Sequence, residues 1–201
     1  MKPRARSHYC WQRLLETLRC WDGSPLPPQL HERLLREWEH RTRVEERIRL
    51  VERVQLDQLQ HGSDPAVEMV RQLMTLKGIG LQSAWLFTFE FFAWRNIQTR
   101  QQLTALAGLA PSPYQSGDEA RDLGISKAGS SSVPAMAIQN AWGWIRFQPD
   151  SNLTRWFERR FAHGGRRMRA IGIVALARRL LIELWRFLET GALPEGATAS
   201  S

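Results

Sequence analysis

Ser116 stands in the run Tyr114-Gln115-Ser116-Gly117, upstream of Arg121 and of Gly124-Ile125-Ser126-Lys127-Ala128-Gly129. A serine hydroxyl can attack a phosphodiester where cations hold the non-bridging oxygens and stabilise the charge that develops on them. Arg121 and Lys127 are candidates for that work. The same composition suits an ordinary phosphate-binding or capping loop, and the residues by themselves leave both readings open. Asp118, Glu119 and Asp122 share the segment. With no second carboxylate cluster in the chain, they read as a polar surface turn rather than a metal site.

A second constellation is basic. Between Leu153 and Arg179 the chain carries Arg155, Arg159, Arg160, Arg166, Arg167, Arg169, Arg178 and Arg179 against one acid, Glu158. A solvated helix face usually mixes signs, and this one does not. Guanidinium groups present a rigid fork of donors that fits phosphate, so the cluster reads as a sequence-independent contact to a nucleic-acid backbone. A third motif is Leu76-Lys77-Gly78-Ile79-Gly80-Leu81, between two helical patterns. Glycines allow a tight turn, and the N–H groups that open the following helix can grip a phosphate, as in a helix-hairpin-helix. A plain helical hairpin would leave the same trace.

Composition supports these readings and excludes others. Lys+Arg number 28 against 20 Asp+Glu, a net charge of +8, and 25 of the basic residues are arginine. That balance favours a polyanionic partner such as DNA. Hydrophobic residues make up 43%, so wholesale disorder is excluded. Two cysteines and five scattered histidines provide neither a disulfide framework nor zinc spacing. The lysine- and arginine-free stretch from Gly78 to Trp94 contains Glu90 and two glycines and makes a poor membrane span. A soluble, reducing, intracellular setting with no membrane partner is expected.

The elements that must position these residues read as all-α. Residues 1–27 form a short amphipathic helix, with Trp11, Leu14, Leu15 and Leu18, and a proline-rich linker. Residues 28–62 lack internal glycine and proline, and Leu30, Leu34, Val44, Ile48 and Val51 follow heptad spacing. This predicts a coiled-coil-like helix and a homo-oligomer through it, although Glu37 and Arg41 interrupt the seam. Residues 63–190 form a helical DNA-binding domain, restarting at Asp64-Pro65. Its last helix, about Met168 to Glu189, carries a stripe of Ile171, Val174, Ala177, Leu181, Leu184, Trp185 and Leu188. The segment from Gly108 to Ser132 reads as a loop, and 191–201 as a disordered tail.

The motifs also occur in a familiar order. Leu76-Lys77-Gly78-Ile79-Gly80, Gly108-Leu109-Ala110-Pro111-Ser112-Pro113-Tyr114-Gln115-Ser116-Gly117, Arg121, Gly124 to Gly129, Ala141-Trp142 and Ile173 to Leu180 are in sequence. From Leu73 to Leu188 the chain resembles the C-terminal transposase domain of the insertion sequence 110 family, including its 1111-type branch and the Piv-type DNA invertases. Trp21 to Pro27 and the long helix resemble the 1111-type branch.

The resemblance implies DNA transposition or site-specific recombination, directed in family members by a structured guide RNA. It maps the family's catalytic serine, in a Tyr-x-Ser-Gly motif, to Ser116. Gly78, Gly80, Arg121, Ser126, Lys127, Arg159, Arg160, Arg166, Arg167, Arg169, Arg178 and Arg179 are the nucleic-acid-binding candidates. No metal site is expected in these residues; the resemblance places Mg²⁺ in the family's N-terminal RuvC-like domain with its DEDD carboxylates. It also implies a bacterial, nucleoid-associated cytoplasmic setting. Met1 falls near where the RuvC-like domain would end, and Pro134 stands where the family carries arginine. Both departures predict that this chain, by itself, does not cleave DNA. A non-catalytic nucleic-acid-binding remnant and a helical dimerisation module are the alternatives.

Overall fold

Proline and glycine mark most of the points where the chain changes direction. The computed structural model describes residues 8–109, 111–116, 119–125 and 131–200, with 111–116 and 119–125 described by their backbone alone. The fold is all-α: eight α-helices among the described residues, interrupted by one two-stranded ribbon. The chain divides into two units, Met1–Gln60 and His61–Ser201.

In the first unit, α1 (His8–Thr17) precedes a turn, and α2 (Pro28–His61) begins at a proline whose missing N–H costs nothing at a helix start. Asp22 shapes the turn by accepting from the Ser24 N–H at 3.0 Å and the Ser24 hydroxyl at 2.7 Å, and these bonds hold its carboxyl below the usual range. Trp11 of α1 stacks on Trp38 of α2 with ring centroids 4.7 Å apart. Trp38 and Gln55 are the buried residues of α2, whereas the seam positions Val44, Ile48 and Val51 are exposed.

In the second unit, α3 (Pro65–Met74) starts as expected. Asp64 caps it by accepting from the Ala66 N–H at 2.7 Å, with Pro65 at the first helical position. The turn to α4 (Leu81–Phe87) passes through Gly78 at φ +97°, a conformation that glycine adopts freely. A π-helical turn, Thr88–Phe92, follows α4, and α5 (Arg100–Leu106) is capped by the Thr99 hydroxyl.

The expected loop between Gly108 and Ser132 contains instead an antiparallel ribbon of β1 (Pro111–Ser116) and β2 (Glu119–Ile125). Its strands do not alternate cleanly in hydropathy, and Pro111 and Pro113 sit where the register is irregular. A two-stranded ribbon tolerates this because each strand has a free edge on which proline needs no donor.

The core is built around α8 (Arg166–Thr190), against which α3, α5, α6 (Ser132–Phe147) and α7 (Asn152–Phe157) pack. Its buried face holds Ile173, Leu176, Ala177, Leu180, Leu181, Leu184 and Phe187. The stripe read from the sequence shares Ala177, Leu181 and Leu184 with it, but Ile171 is 51% exposed. Neighbours on several sides widen the buried face beyond a single stripe.

Residues 191–200, read as a disordered tail, are instead tied down. The buried Gln148 side chain donates to the carbonyls of Lys77 and Thr198, each at 2.8 Å, and accepts from the Thr198 N–H at 2.8 Å. The Ser200 N–H donates to the Thr75 carbonyl at 2.7 Å, and the Asn152 N–H to that of Glu195 at 3.0 Å. A small polar tail can be ordered by hydrogen bonds to its backbone, which hydropathy does not register.

Candidate nucleic-acid interface

Ser116 is the last residue of β1, with its backbone opposite Glu119; Tyr114 lies opposite Arg121. Because strand positions alternate between faces, Tyr114, Ser116, Glu119 and Arg121 fall on one face of the ribbon. The ribbon thus sets Ser116 and Arg121 in fixed register, where a loop would not. Ser126 and Lys127 lie outside the described residues.

Pro134 occupies the first turn of α6. Backbone N–H groups there have no intrahelical partner, so the proline costs the helix no hydrogen bond.

The arginines follow one continuous piece of chain. Arg155 lies on α7, Arg159 and Arg160 on a π-helical turn (Glu158–Ala162), and Arg166, Arg167 and Arg169 at the start of α8. All six are exposed, as is Arg179; Arg178 is half-buried. The elbow between α7 and α8, which includes the Glu158–Ala162 turn, is fixed by polar and aromatic packing. Fully buried Trp144 donates its indole N–H to the Ser151 hydroxyl at 2.9 Å, and Ser151 caps α7 by accepting from the Thr154 N–H. Gly172 lets Phe161 of the π-helical turn lie directly on α8.

The electrostatics of the α8 start are unusual. No acid stands in its first turn, and its N-cap, Gly165, supplies no side-chain cap. Positive charge at a helix N-terminus opposes the macrodipole by about 0.3–1 kcal/mol per residue. A phosphate there would reverse the sign of that interaction.

Arg178 and Arg179 lie about 15 Å further along the α8 axis, so the cluster is a strip rather than a single point. Trp156, which the sequence reading did not single out, sits under the Arg179 guanidinium at 4.0 Å from its ring centroid. Arg179 is remote in sequence from Trp156, and neither helical pattern announces the pairing. Gly78 and Gly80 occupy the α3–α4 turn, where a Cβ on Gly78 would come within 3.2 Å of Phe147 Cβ; Gly80 faces open space and serves as the N-cap of α4. Among the described residues, no three His, Cys, Asp or Glu come together as metal ligands would.

Residues 70–155 match the family model described as the transposase IS116/IS110/IS902 family. This segment is similar to that transposase family. It encloses the α3–α4 turn, the ribbon with Ser116 and the start of α7, and it bears out the resemblance to the insertion sequence 110 family. The chain is similar to "Putative transposase y4rJ" of Sinorhizobium fredii (strain NBRC 101917 / NGR234), at 38% identity over 192 residues, 91% of this chain and 48% of that protein. It is also similar to "Transposase for insertion sequence element IS1328" of Yersinia enterocolitica, at 30% identity over 116 residues, 58% of this chain and 33% of that protein. The chain therefore spans half the length or less of these curated relatives. Among the described residues, no helix is long and apolar enough to cross a membrane.

Proposed function

We propose that this chain is the DNA-binding, serine-bearing part of a transposase that acts in DNA transposition or site-specific recombination. The observation that carries the reading is the family match over 70–155, which encloses Ser116. In the proposed step, Ser116 Oγ attacks a backbone phosphorus and gives up its proton. A serine–phosphate ester forms, one P–O bond to a sugar oxygen breaks, and that oxygen leaves and takes up a proton. Arg121, two pair positions from Ser116 on the same ribbon face, and Lys127 offset the charge on the non-bridging oxygens.

Backbone phosphates on either side are held by Arg159, Arg160, Arg166, Arg167, Arg169, Arg178 and Arg179. The α3–α4 turn, with Gly78 and Gly80, grips one phosphate as a helix-hairpin-helix. The exposed seam of α2 supports self-association through that helix, and a structured RNA directs the complex. Mg²⁺, which would offset charge on the reacting phosphate, belongs in this reading to the carboxylates of a RuvC-like domain.

The test is denaturing electrophoresis of end-labelled element DNA incubated with protein, guide RNA, Mg²⁺ and a RuvC-like domain supplied in the same polypeptide or in trans. A covalent adduct that disappears in Ser116→Ala is the expected result. An adduct that persists in Ser116→Ala refutes the assignment.

A further inference from the structure

The second unit carries a groove that the family match does not explain. Two open cavities, of 490 and 530 Å³, lie along α8 and share Arg100 and Arg186. One is floored by Trp156 and flanked by Arg178 and Arg179; the other is lined by Trp185. Together they run along α8 from Ala175 to Thr190, about 22 Å at the helical rise per residue. Both tryptophans are half-buried, and Arg100, Arg179 and Arg186 are exposed. The acids in the lining are Glu183 and Glu189; Glu183 pairs with Arg186 at 2.9 Å. Four arginines against two glutamates leave the groove positive.

We propose that this groove between α5, α7 and α8 holds a single-stranded segment of nucleic acid. The inference rests on the nucleic-acid reading above and names a separate place for an unpaired strand. A duplex keeps its bases stacked inside, so aromatic surface in a groove gains little from it. A single strand can lay its phosphates on arginines while its bases stack on tryptophan or on a guanidinium plane.

The arrangement has that pattern: an aromatic at each end and arginines between. The Arg179 guanidinium carbon lies over the Trp156 ring, 4.0 Å from its centroid. This cation–π contact already restrains the Arg179 side chain beside the groove, so less of its freedom is lost on binding. Arg100 opens α5 from the opposite wall. Only the tertiary packing of α5 on α8 brings it to Arg178 and Arg186.

The experiment measures binding of the full chain to fluorescent oligothymidylate, oligouridylate and a duplex of the same length across a salt series. The variants are Arg100→Glu, Arg179→Ala and, as a reference, the triple change Arg166→Ala, Arg167→Ala, Arg169→Ala. Arg100 is exposed in a first helical turn, where glutamate suits the dipole, so the fold is preserved. Arg100→Glu and Arg179→Ala are each expected to weaken single-strand binding by roughly tenfold. Each should flatten the salt slope by about 0.7 per lost phosphate contact. Arg179→Lys should recover the slope but not the affinity, because it keeps charge and loses the guanidinium over Trp156.

Duplex binding should respond to the triple variant and, by one backbone contact, to Arg179→Ala, and barely to Arg100→Glu. Unchanged single-strand affinity in both groove variants overturns the proposal, as does an equal loss on single strand and duplex in Arg100→Glu. If the wild-type chain binds duplex but neither oligonucleotide, the groove assignment fails while the broader reading stands. If it binds the oligonucleotides through Arg100 and Arg179 but no duplex, the groove stands and the duplex reading fails. Tighter oligouridylate than oligothymidylate binding supports the groove and identifies its strand as RNA.

Discussion

Replacing Gly172 with alanine tests how the arginine-bearing elbow is held. Gly172 is buried in α8, and a Cβ there would lie 2.4 Å from Phe161 Cγ, 2.7 Å from Phe161 Cβ and 2.8 Å from Cδ1. Ordinary carbon contacts are about 3.5–4.0 Å, so Phe161 must retreat by about 1 Å. The clash reaches the root of the side chain, so rotation cannot relieve it and the π-helical turn carrying Arg159 and Arg160 must move. Overpacking of this kind costs about 1–3 kcal/mol, and the upper end applies to a clash at Cβ. Alanine returns about 0.8–1 kcal/mol of helix propensity, so the net loss is about 2 kcal/mol. Urea unfolding followed by far-ultraviolet circular dichroism, at unchanged slope, measures it. Gly143→Ala in α6 is the control: its Cβ would meet only the Gly78 carbonyl at 3.9 Å, and it should be neutral or stabilising by up to about 1 kcal/mol. Removing the obstacle with Phe161→Ala should make the two changes less costly together than their sum. If Gly172→Ala is as stable as Gly143→Ala, the close approach of Phe161 to α8 is wrong.

Converting Arg166, Arg167 and Arg169 to alanine should weaken binding to unrelated duplexes alike and flatten the slope of log K against log salt by about 0.9 per lost phosphate contact; an unchanged slope makes the cluster a solubility face. Ser116→Ala should leave DNA affinity within about twofold in the same titration, because one hydroxyl adds little to a face made of arginines. Ser112→Ala and Ser126→Ala should still form adduct, and its loss in Ser126→Ala alone would reassign the nucleophile. Gln148→Leu should expose the Thr198 amide to hydrogen exchange and cost about 1–3 kcal/mol; undiminished protection at Thr198 would show that the tail does not depend on Gln148. Asp64→Ala should cost about 1 kcal/mol in urea unfolding, and Asp64→Asn only a few tenths; equal effects of the two would remove the cap from the account of α3.

Much of this protein is local, and what is local was legible in the sequence. The start of α3 follows from Asp64 and Pro65 because capping and fixed φ act within one turn. The extent of α2 follows from a long run without glycine or proline, and the arginine strip from charges close together in the chain. The family resemblance was legible for the same reason: its motifs are short and in order. What tertiary structure decided are pairings between distant residues. The ribbon around Ser116 exists because β1 and β2 satisfy each other's backbone groups, which no hydropathy pattern in a proline-rich segment reports. The tail is held by Gln148, Lys77 and Thr75, partners remote in sequence that offer backbone bonds without apolar surface. Arg100 reaches the α8 groove only because α5 packs there, and Trp156 meets Arg179 only because α7 packs on α8. Hydrogen bonds and close packing act over a few ångströms of space whatever the distance along the chain, so their partners are chosen by the fold.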